Sequence, residues 1–341
     1  MSSQREQYER KNVVVVVAQE NSAAWRDESH VGEVTKKRPL FTVFTPTYNR
    51  AHTLGRLFGS LLSQTLQDFE WIIVDDGSTD HTATLVPEWV DRAGFPIKYF
   101  YQVNQGKHVA HNRAVHLSEG DLFLVIDSDD ALVSGALERL AYWWRSIPLS
   151  QRSQYTGVVC LYQDRNGNRV GDQFPISPMD SNALELGFKL KIRVDTCGFH
   201  RSDVLRRYPF PEDGLTKFVP ESFVWNQIAR TYSLRCVNEC LAINYQDAGN
   251  QLTKSRLRSR ASVRQYFRLM IDRDLDFFWV DPRTFLKWGT LYARYSCLEG
   301  DWQFLDRRRF RHVGAYALCV VSAPLGAAMF LLDRLREARG P

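Results

Sequence analysis

The sequence predicts an α/β fold built on a doubly wound, mostly parallel sheet, followed by a smaller mixed half and C-terminal helices. Three observations predict it. Strand-like and helix-like patterns alternate from residue 39 to residue 147, the mark of a parallel sheet with crossover helices. Two strand-like runs end in carboxylates, Asp75-Asp76 in WIIVDDGSTD and Asp127, Asp129 and Asp130 in LFLVIDSDD. Beyond Pro148 the alternation stops, and short strands and turns take over.

The elements follow in order. Leu40–Thr45 reads as a buried strand. Leu54, Leu57, Phe58, Leu61 and Leu62 keep the i, i+3, i+4, i+7, i+8 spacing of a helix with one apolar face. Phe69–Val74 is the second strand. Asp80 to Val90 is helical, interrupted near Pro87. Ile97–Gln102 is the third strand, Lys107–Leu117 a helix, and Asp121–Ile126 the fourth strand. Ser134 is placed to N-cap a helix running to Ile147. Thr156–Gln163 is a strand, and Asn166-Gly167-Asn168 a hairpin-type turn. Arg193–His200 is another strand, and Pro220–Tyr232 a helix with Pro at its first turn. Leu234–Val237 and Leu241–Tyr245 are two short strands.

The bulk numbers bound the class. The chain has 341 residues, 44% hydrophobic and 24% charged, as in an ordinary globular protein. Net charge is +5, unevenly placed: Lys254–Pro341 holds 17 Lys/Arg against 9 Asp/Glu, so the remainder is net negative. A basic tail suits an anionic membrane surface. No nucleic-acid recognition motif accompanies it, so no nucleic-acid partner is expected. The six cysteines lack paired C-x-x-C spacing and a nearby His, which disfavours zinc and favours reduced, packed thiols. Residues 1–38 read as a poorly ordered leader, since Val13–Ala18 is too short for the apolar core of a secretory signal. A cytoplasmic location is expected.

The acid clusters carry the chemistry. In a parallel α/β sheet, ligands bind in the crevice beyond the carboxyl ends of the strands. Two runs ending in Asp aim several carboxylates at one crevice. Gathering carboxylates away from water is costly unless a cation or hydrogen-bond donors compensate. A divalent metal carrying a diphosphate would do so, with hard oxygen ligands suited to Mn2+ or Mg2+. The plainer alternative is a pair of exposed Asp-rich turns. Lys107 follows Gly106 and opens a helix, where with Arg113 it could reach a phosphate or remain a solvated helix charge. His108 and His111 have metal-compatible spacing but no third ligand nearby.

TVFTPTYNR, QTLQDFEWIIVDDGSTD, NQGKHVAHNRA and GDLFLVIDSDD, in this order, resemble the nucleotide-binding half of family 2 glycosyltransferases with a GT-A fold. The resemblance covers roughly residues 39–250. It implies a domain with a nucleotide-binding half at 39–147 and an acceptor half at 148–250, then a basic helical region at 251–341. It implies an inverting transfer from a nucleotide-sugar donor, UDP-linked, to a hydroxyl of a glycan or lipid-linked acceptor. Polysaccharide or glycoconjugate synthesis is the expected setting. Carried over, the nucleotide site comprises Thr45, Pro46, Tyr48, Asn49, Arg50, Asp75, Asp76, Lys107, Arg113, Asp127 and Ser128. Thr45, Tyr48 and Asp76 would contact the base. Asp127, Asp129 and Asp130 form the D-x-D region that holds metal. The catalytic base would be Glu221, with Asp195 as the second candidate.

Two departures from the family pattern stand out. Ser222 replaces the Asp that usually follows the base. Thr231 stands where processive synthases have the Trp of Gln-x-x-Arg-Trp, so transfer of one or few sugars is expected. A catalytically silent scaffold in a polysaccharide assembly complex is the alternative function. Finally, residues 313–332 carry no charge and have Arg on both sides. At about 1.5 Å per residue a helix of this length could just cross a hydrocarbon core, lie on its surface, or pack on the protein. Peripheral membrane contact at a cytoplasmic face is the expectation.

Overall fold

The computed structural model describes residues 9–10, 13–15, 38–192, 194–212, 218–245 and 260–338. Most of the expected leader lies outside these residues, as does the expected boundary at 250. By internal contacts the chain divides into two compact units. One comprises 1–183, 192–212 and 227–248; the other comprises 184–191, 213–226 and 249–341.

The first unit is a mixed sheet flanked by helices. Its strands are β1 (Glu9–Arg10), β2 (Val13–Val15), β3 (Phe41–Thr47), β4 (Phe69–Asp75), β5 (Ile97–Tyr101), β6 (Leu122–Val125), β7 (Ala131–Leu132), β8 (Tyr155–Gln163), β9 (Met179–Ser181), β10 (Thr196–Arg201) and β11 (Ser233–Ile243). Spatial order is β1-β2-β5-β4-β3-β6-β10-β8-β11-β7, with β9 beside β11. From β2 to β6 every pairing is parallel. At β6 the sheet changes character, because β10 runs antiparallel to both β6 and β8. The expected doubly wound parallel sheet therefore accounts for one half, and the mixed pairing for the other.

Helices α1 (Ala51–Leu62), α2 (Thr82–Val90), α3 (Lys107–Leu117) and α4 (Ala136–Arg145) follow β3, β4, β5 and β7. α1 buries Leu54, Leu57, Phe58 and Leu61 along one face, as their spacing dictates. Phe58, Trp71 and Trp89 stack nearly parallel, with centroids 4.7–6.1 Å apart. Trp71 is fully buried and its indole N–H donates to Thr45 Oγ1 at 3.0 Å. Burying each such ring contributes about 2–3 kcal/mol, which makes this stack a principal anchor of α1 and α2 on the sheet.

Four local expectations need correction. Pro87 lies inside α2, which runs through to Val90. Ser134 does not cap α4; Gly135 does, in the left-handed region at φ 80°, while the Ser134 hydroxyl donates to the Ser63 carbonyl. Leu234–Val237 and Leu241–Tyr245 are not separate strands but parts of β11, which bulges between Cys236 and Cys240. The stretch Val237-Asn238-Glu239 resembles a turn because its two polar residues, Asn238 and Glu239, face partners outside the ladder. Asn238 pairs with the Phe174 backbone through two hydrogen bonds, and Glu239 accepts from Arg139 and Trp143. Last, the helix expected over Pro220–Tyr232 covers only Ser222–Ile228 (α6), after the single turn α5 (Ser202–Leu205).

The second unit is helical. Its long helices are α7 (Arg260–Asp274), α8 (Pro282–Leu298) and α9 (Val313–Ala338). Asp281 precedes α8 and Pro282 opens it, as proline at a first helical position favours.

Candidate active site

The carboxyl ends of β3, β4, β5 and β6 lie on one edge of the sheet, because all four strands run parallel. Four loops leave from this edge: 48–50, 76–81, 102–106 and 126–130.

The first acid pair is fully engaged by the protein. Asp75 is completely buried; Tyr99 donates its hydroxyl to Oδ2 at 2.6 Å, and the Ser78 amide donates to Oδ1 at 2.7 Å. Burial, then the Asp75 carboxylate, push the Tyr99 phenol far above its usual range, so it stays a donor. Asp76 accepts from Gln102 Nε2, the Gln105 amide and the Gly106 amide, each at 2.8 Å. These bonds fold loop 102–106 onto the end of β4. Gly77 makes the approach possible: at φ 87°, a Cβ there would lie 2.9 Å from the Asn104 amide nitrogen.

Asn49 organises the neighbouring loop from a left-handed backbone, φ 53°. Its Oδ1 accepts the amides of Thr79 and Asp80, and its own amide donates to Ser78 Oγ. Asp80 in turn accepts the Ala51 amide at the start of α1. Tyr48 is 49% exposed on this loop, whereas Thr45 is fully buried with its hydroxyl on Trp71. Pro46 belongs to β3, and Ser128 is buried. Arg113 is buried on α3, stacked toward Phe100, and donates to the Tyr101 carbonyl at 2.9 Å. Burial pulls its pKa down. Among the residues expected at the nucleotide, Thr45, Asp75, Asp76 and Arg113 thus direct their side chains at the protein. Tyr48 directs its ring to solvent.

The second cluster is arranged oppositely. Asp127, Asp129 and Asp130 bring carboxylate oxygens within 4.8 Å of one another. Lys107 Nζ lies 2.6 Å from Asp127 Oδ1, and Arg50 Nη2 lies 3.7 Å from Asp129 Oδ2. These cations do not balance three carboxylates. Burial, then Asp127 and Asp129, push the Asp130 carboxyl up to about 8, against the opposing hydrogen bond from Tyr162. Burial and Asp127 also raise Asp129, partly offset by Arg50. Hard oxygens crowded in this way fit a divalent cation, whose charge would supply what the side chains lack. Among the described residues this is the one such cluster of three acids or metal-binding groups.

Several partners were not legible from motifs. Arg56 on α1 donates to the Asp129 carbonyl at 2.8 Å, and its guanidinium lies 3.6 Å over the Tyr245 ring. Tyr162 reaches Asp130 from β8. Their contacts join positions about 70, 190 and 30 apart in sequence, so local patterns carry no trace of them. His111 packs edge-on to Phe44, Phe123 and Phe210 at 5.0–5.8 Å, a core position. Asp195 is exposed just before β10, in the first unit. Glu221 is exposed in the second unit, at the start of α6, where its carbonyl accepts the Val224 and Trp225 amides.

Comparison with known proteins identifies the family of the first part of the chain and the fold. Residues 42–208 match glycosyl transferase family 2. Chondroitin synthase from Escherichia coli is 31% identical over 172 residues, 48% of this chain and 24% of its own length. Validoxylamine A glucosyltransferase from Streptomyces hygroscopicus subsp. jinggangensis is 42% identical over 98 residues, 28% of this chain and 23% of its own. The chain thus spans about a quarter of the length of these two curated relatives. Among solved structures, S. aureus TarS 1–349 in complex with UDP-GlcNAc superposes with a TM-score of 0.52, at 18% identity, over 83% of this chain and 79% of that one. The mannosyltransferase PcManGT from Pyrobaculum calidifontis, in complex with GDP-Man and Mn2+, gives 0.51 at 17% identity over 87% and 88%. These two likenesses extend the shared fold beyond the matched segment. Residues 42–208 thus form a glycosyl transferase family 2 domain.

Proposed function

We propose that the protein is an inverting, metal-dependent glycosyltransferase that moves one sugar from a UDP-linked donor to a hydroxyl of a glycan or lipid-linked acceptor. The setting is cell-surface polysaccharide or glycoconjugate synthesis at the cytoplasmic face of a membrane, with the C-terminal region as the membrane contact. The observation that carries the reading is the Asp127–Asp129–Asp130 cluster, in which the raised pKa values of Asp129 and Asp130 mark a site short of positive charge. Two solved relatives of the same fold hold UDP-GlcNAc, or GDP-Man with Mn2+, which supports the donor class.

The roles follow from position. Asp129 and Asp130 would hold the metal together with Asp127, which also pairs with Lys107. Bound Mn2+ or Mg2+ supplies Lewis acidity to the diphosphate and stabilises the leaving charge. Lys107, at the N-terminus of α3, and Arg50 face the phosphates. Tyr48 offers its exposed ring to the base, while Asp75, Asp76 and Asn49 hold the loops that shape the pocket. Glu221, or else Asp195, accepts the acceptor hydroxyl proton as the bond to the anomeric carbon forms. Transfer stops after one or few sugars, since the Gln-x-x-Arg-Trp motif is incomplete at Thr231.

The test is a panel of nucleotide sugars offered to purified protein with Mn2+ or with EDTA, reading release of the nucleoside diphosphate. Metal-dependent turnover of one donor is expected; silence toward every donor would favour the scaffold reading. Glu221→Gln should lower kcat by about 10²-fold or more with little change in donor KM, because a general base acts on the acceptor proton. Equal losses in donor affinity and rate would remove Glu221 from the base role.

A further inference from the structure

Helix α9 has two faces of different kinds. The packed face buries Ala315, Leu318, Cys319 and Ser322. It lies so close to α8 that a Cβ on Gly289 would stand 2.6 Å from Ser322 Oγ, and one on Gly326 would stand 2.6 Å from the Ala293 Cβ. Arg294 of α8 locks the pair with two hydrogen bonds to Asp333, at 2.7 and 2.8 Å.

The other face is apolar and open. Val313, Val321, Leu325, Leu331, Leu332 and Leu335 are each 54–71% exposed. At 100° per residue they fall within an arc of about 120°, over a length of about 33 Å. Ala317, Pro324 and Ala328 fill the arc, also exposed, and no charged residue enters it. Trp302, 69% exposed, stands beside the helix with its ring 6.2 Å from Phe330. Soluble surfaces rarely leave such a stripe uncovered. The amino end is basic, since Arg307, Arg308, Arg309 and Arg311 precede the helix; at the other end Arg334 and Arg336 alternate with Asp333 and Glu337.

We propose that this stripe seats in the plane of an anionic lipid bilayer, so that α9 lies in the interface and does not cross it. The inference refines the membrane contact named above and rests on that reading, but on none of the catalytic roles. By length and composition α9 could cross a membrane. Its partner forbids that. Crossing would either drag α8, with Arg283, Lys287 and Arg294, into hydrocarbon or strip it from the Gly326 face. Lying flat buries only the open arc and leaves the packed face, with its Arg294–Asp333 pair, intact. The basic amino end then meets anionic headgroups. A second copy is a poorer occupant. Parallel two-fold pairing of the stripes sets one basic amino end against another.

The experiment uses the full chain and preformed vesicles, either of phosphatidylcholine alone or with about one-third phosphatidylglycerol. Partitioning is expected to be at least about tenfold stronger on the anionic vesicles, and to fall at least about tenfold in Leu325→Glu/Leu332→Glu. These sites are exposed, and circular dichroism checks that helicity is retained. Bimane is then attached at Val313→Cys, Val321→Cys or Leu332→Cys, one at a time, and quenched by lipids labelled at shallow or deep positions. Equal shallow depth at all three is expected. A deep Val321 between shallow ends would establish a span and overturn the proposal. So would failure of the wild-type chain to bind either vesicle, or a concentration-dependent dimer lost in the Leu→Glu variant. Donor turnover in vesicle-free buffer reads the catalytic reading separately, so either can fail alone.

Discussion

Two acid clusters sit on the same edge of one sheet, and their carboxylates live in opposite conditions. Asp75 and Asp76 accept five hydrogen bonds from side chains and amides of their own unit. Asp127, Asp129 and Asp130 have Lys107 and Arg50 for counter-charge and one hydrogen bond, from Tyr162 to Asp130, and crowd one another. Burial is similar for Asp76 and Asp130, both 5% exposed. The difference is therefore not desolvation but what repays it. A buried carboxylate supplied with donors is a structural device; one left short is a receptor for positive charge. Residue type and burial alone cannot tell these apart, whereas a donor count can.

The contrast can be broken by substitution, and the largest effect should come from the poorly compensated cluster. Asp129→Ala/Asp130→Ala is expected to cut donor turnover by about 10³-fold or more, since the leaving diphosphate loses its counter-charge. Its melting temperature should hold or rise, because mutual repulsion is relieved. Near-normal turnover in this variant would sink the metal-site assignment. Asp76→Ala should give the reverse signature. Three donors lose their acceptor, so stability should fall by about 3 kcal/mol, read by urea titration. A variant as stable as wild type would mean that loop 102–106 is held by other contacts.

Titration sharpens the comparison further. In the metal-free protein Asp130 is pushed up to about 8, well above the ordinary value of 3.8. The folded state then holds a proton that the unfolded chain has released. Its contribution is complete below about pH 4 and is lost as pH rises through about 8. Metal-free stability should therefore decline over that window, and Asp130→Asn should flatten the decline, as pH-dependent melting would reveal. An identical slope in the variant would assign the decline to other groups. The smallest effect is expected at the support. Arg56→Ala removes the bond to the Asp129 carbonyl and should weaken Mn2+ binding by about tenfold, one hydrogen bond's worth. Unchanged affinity by calorimetry would show that the loop keeps its shape without Arg56.

Much of the stretch 39–147 was legible because its signals are local. α3 has the predicted bounds, and β3 to β6 and α1 fall within two or three residues of theirs, because apolar runs and 3.6-residue spacing are local properties. The second half was harder. β11 looked like two strands because Asn238 and Glu239 answer to Phe174 and Arg139, not to their neighbours. The acid clusters were visible as composition, and their rim position followed from strand direction. Their division of labour was not, since Tyr99, Gln102, Tyr162 and Arg56 meet them only after folding. Ser134 failed as a cap for a related reason: Gly135 takes the left-handed turn, and the serine serves α1 instead.

The two-residue strand β7 has a consequence for timing. It carries the chain out of the 126–130 loop and pairs Ala131 with Ile243 and Leu132 with Ala242. The loop is thus tied down by a strand made more than a hundred residues later. Chains emerge from the ribosome amino end first and begin to fold in that order. The five parallel strands can assemble while β11 is still unmade, but the acid loop should remain untied. Nascent chains halted before residue 233 should then fold the Trp71 stack yet bind Mn2+ weakly. Halting them after residue 245 should restore the affinity. A synthesis that defers the proposed metal site in this way would keep half-made protein from sequestering the ion.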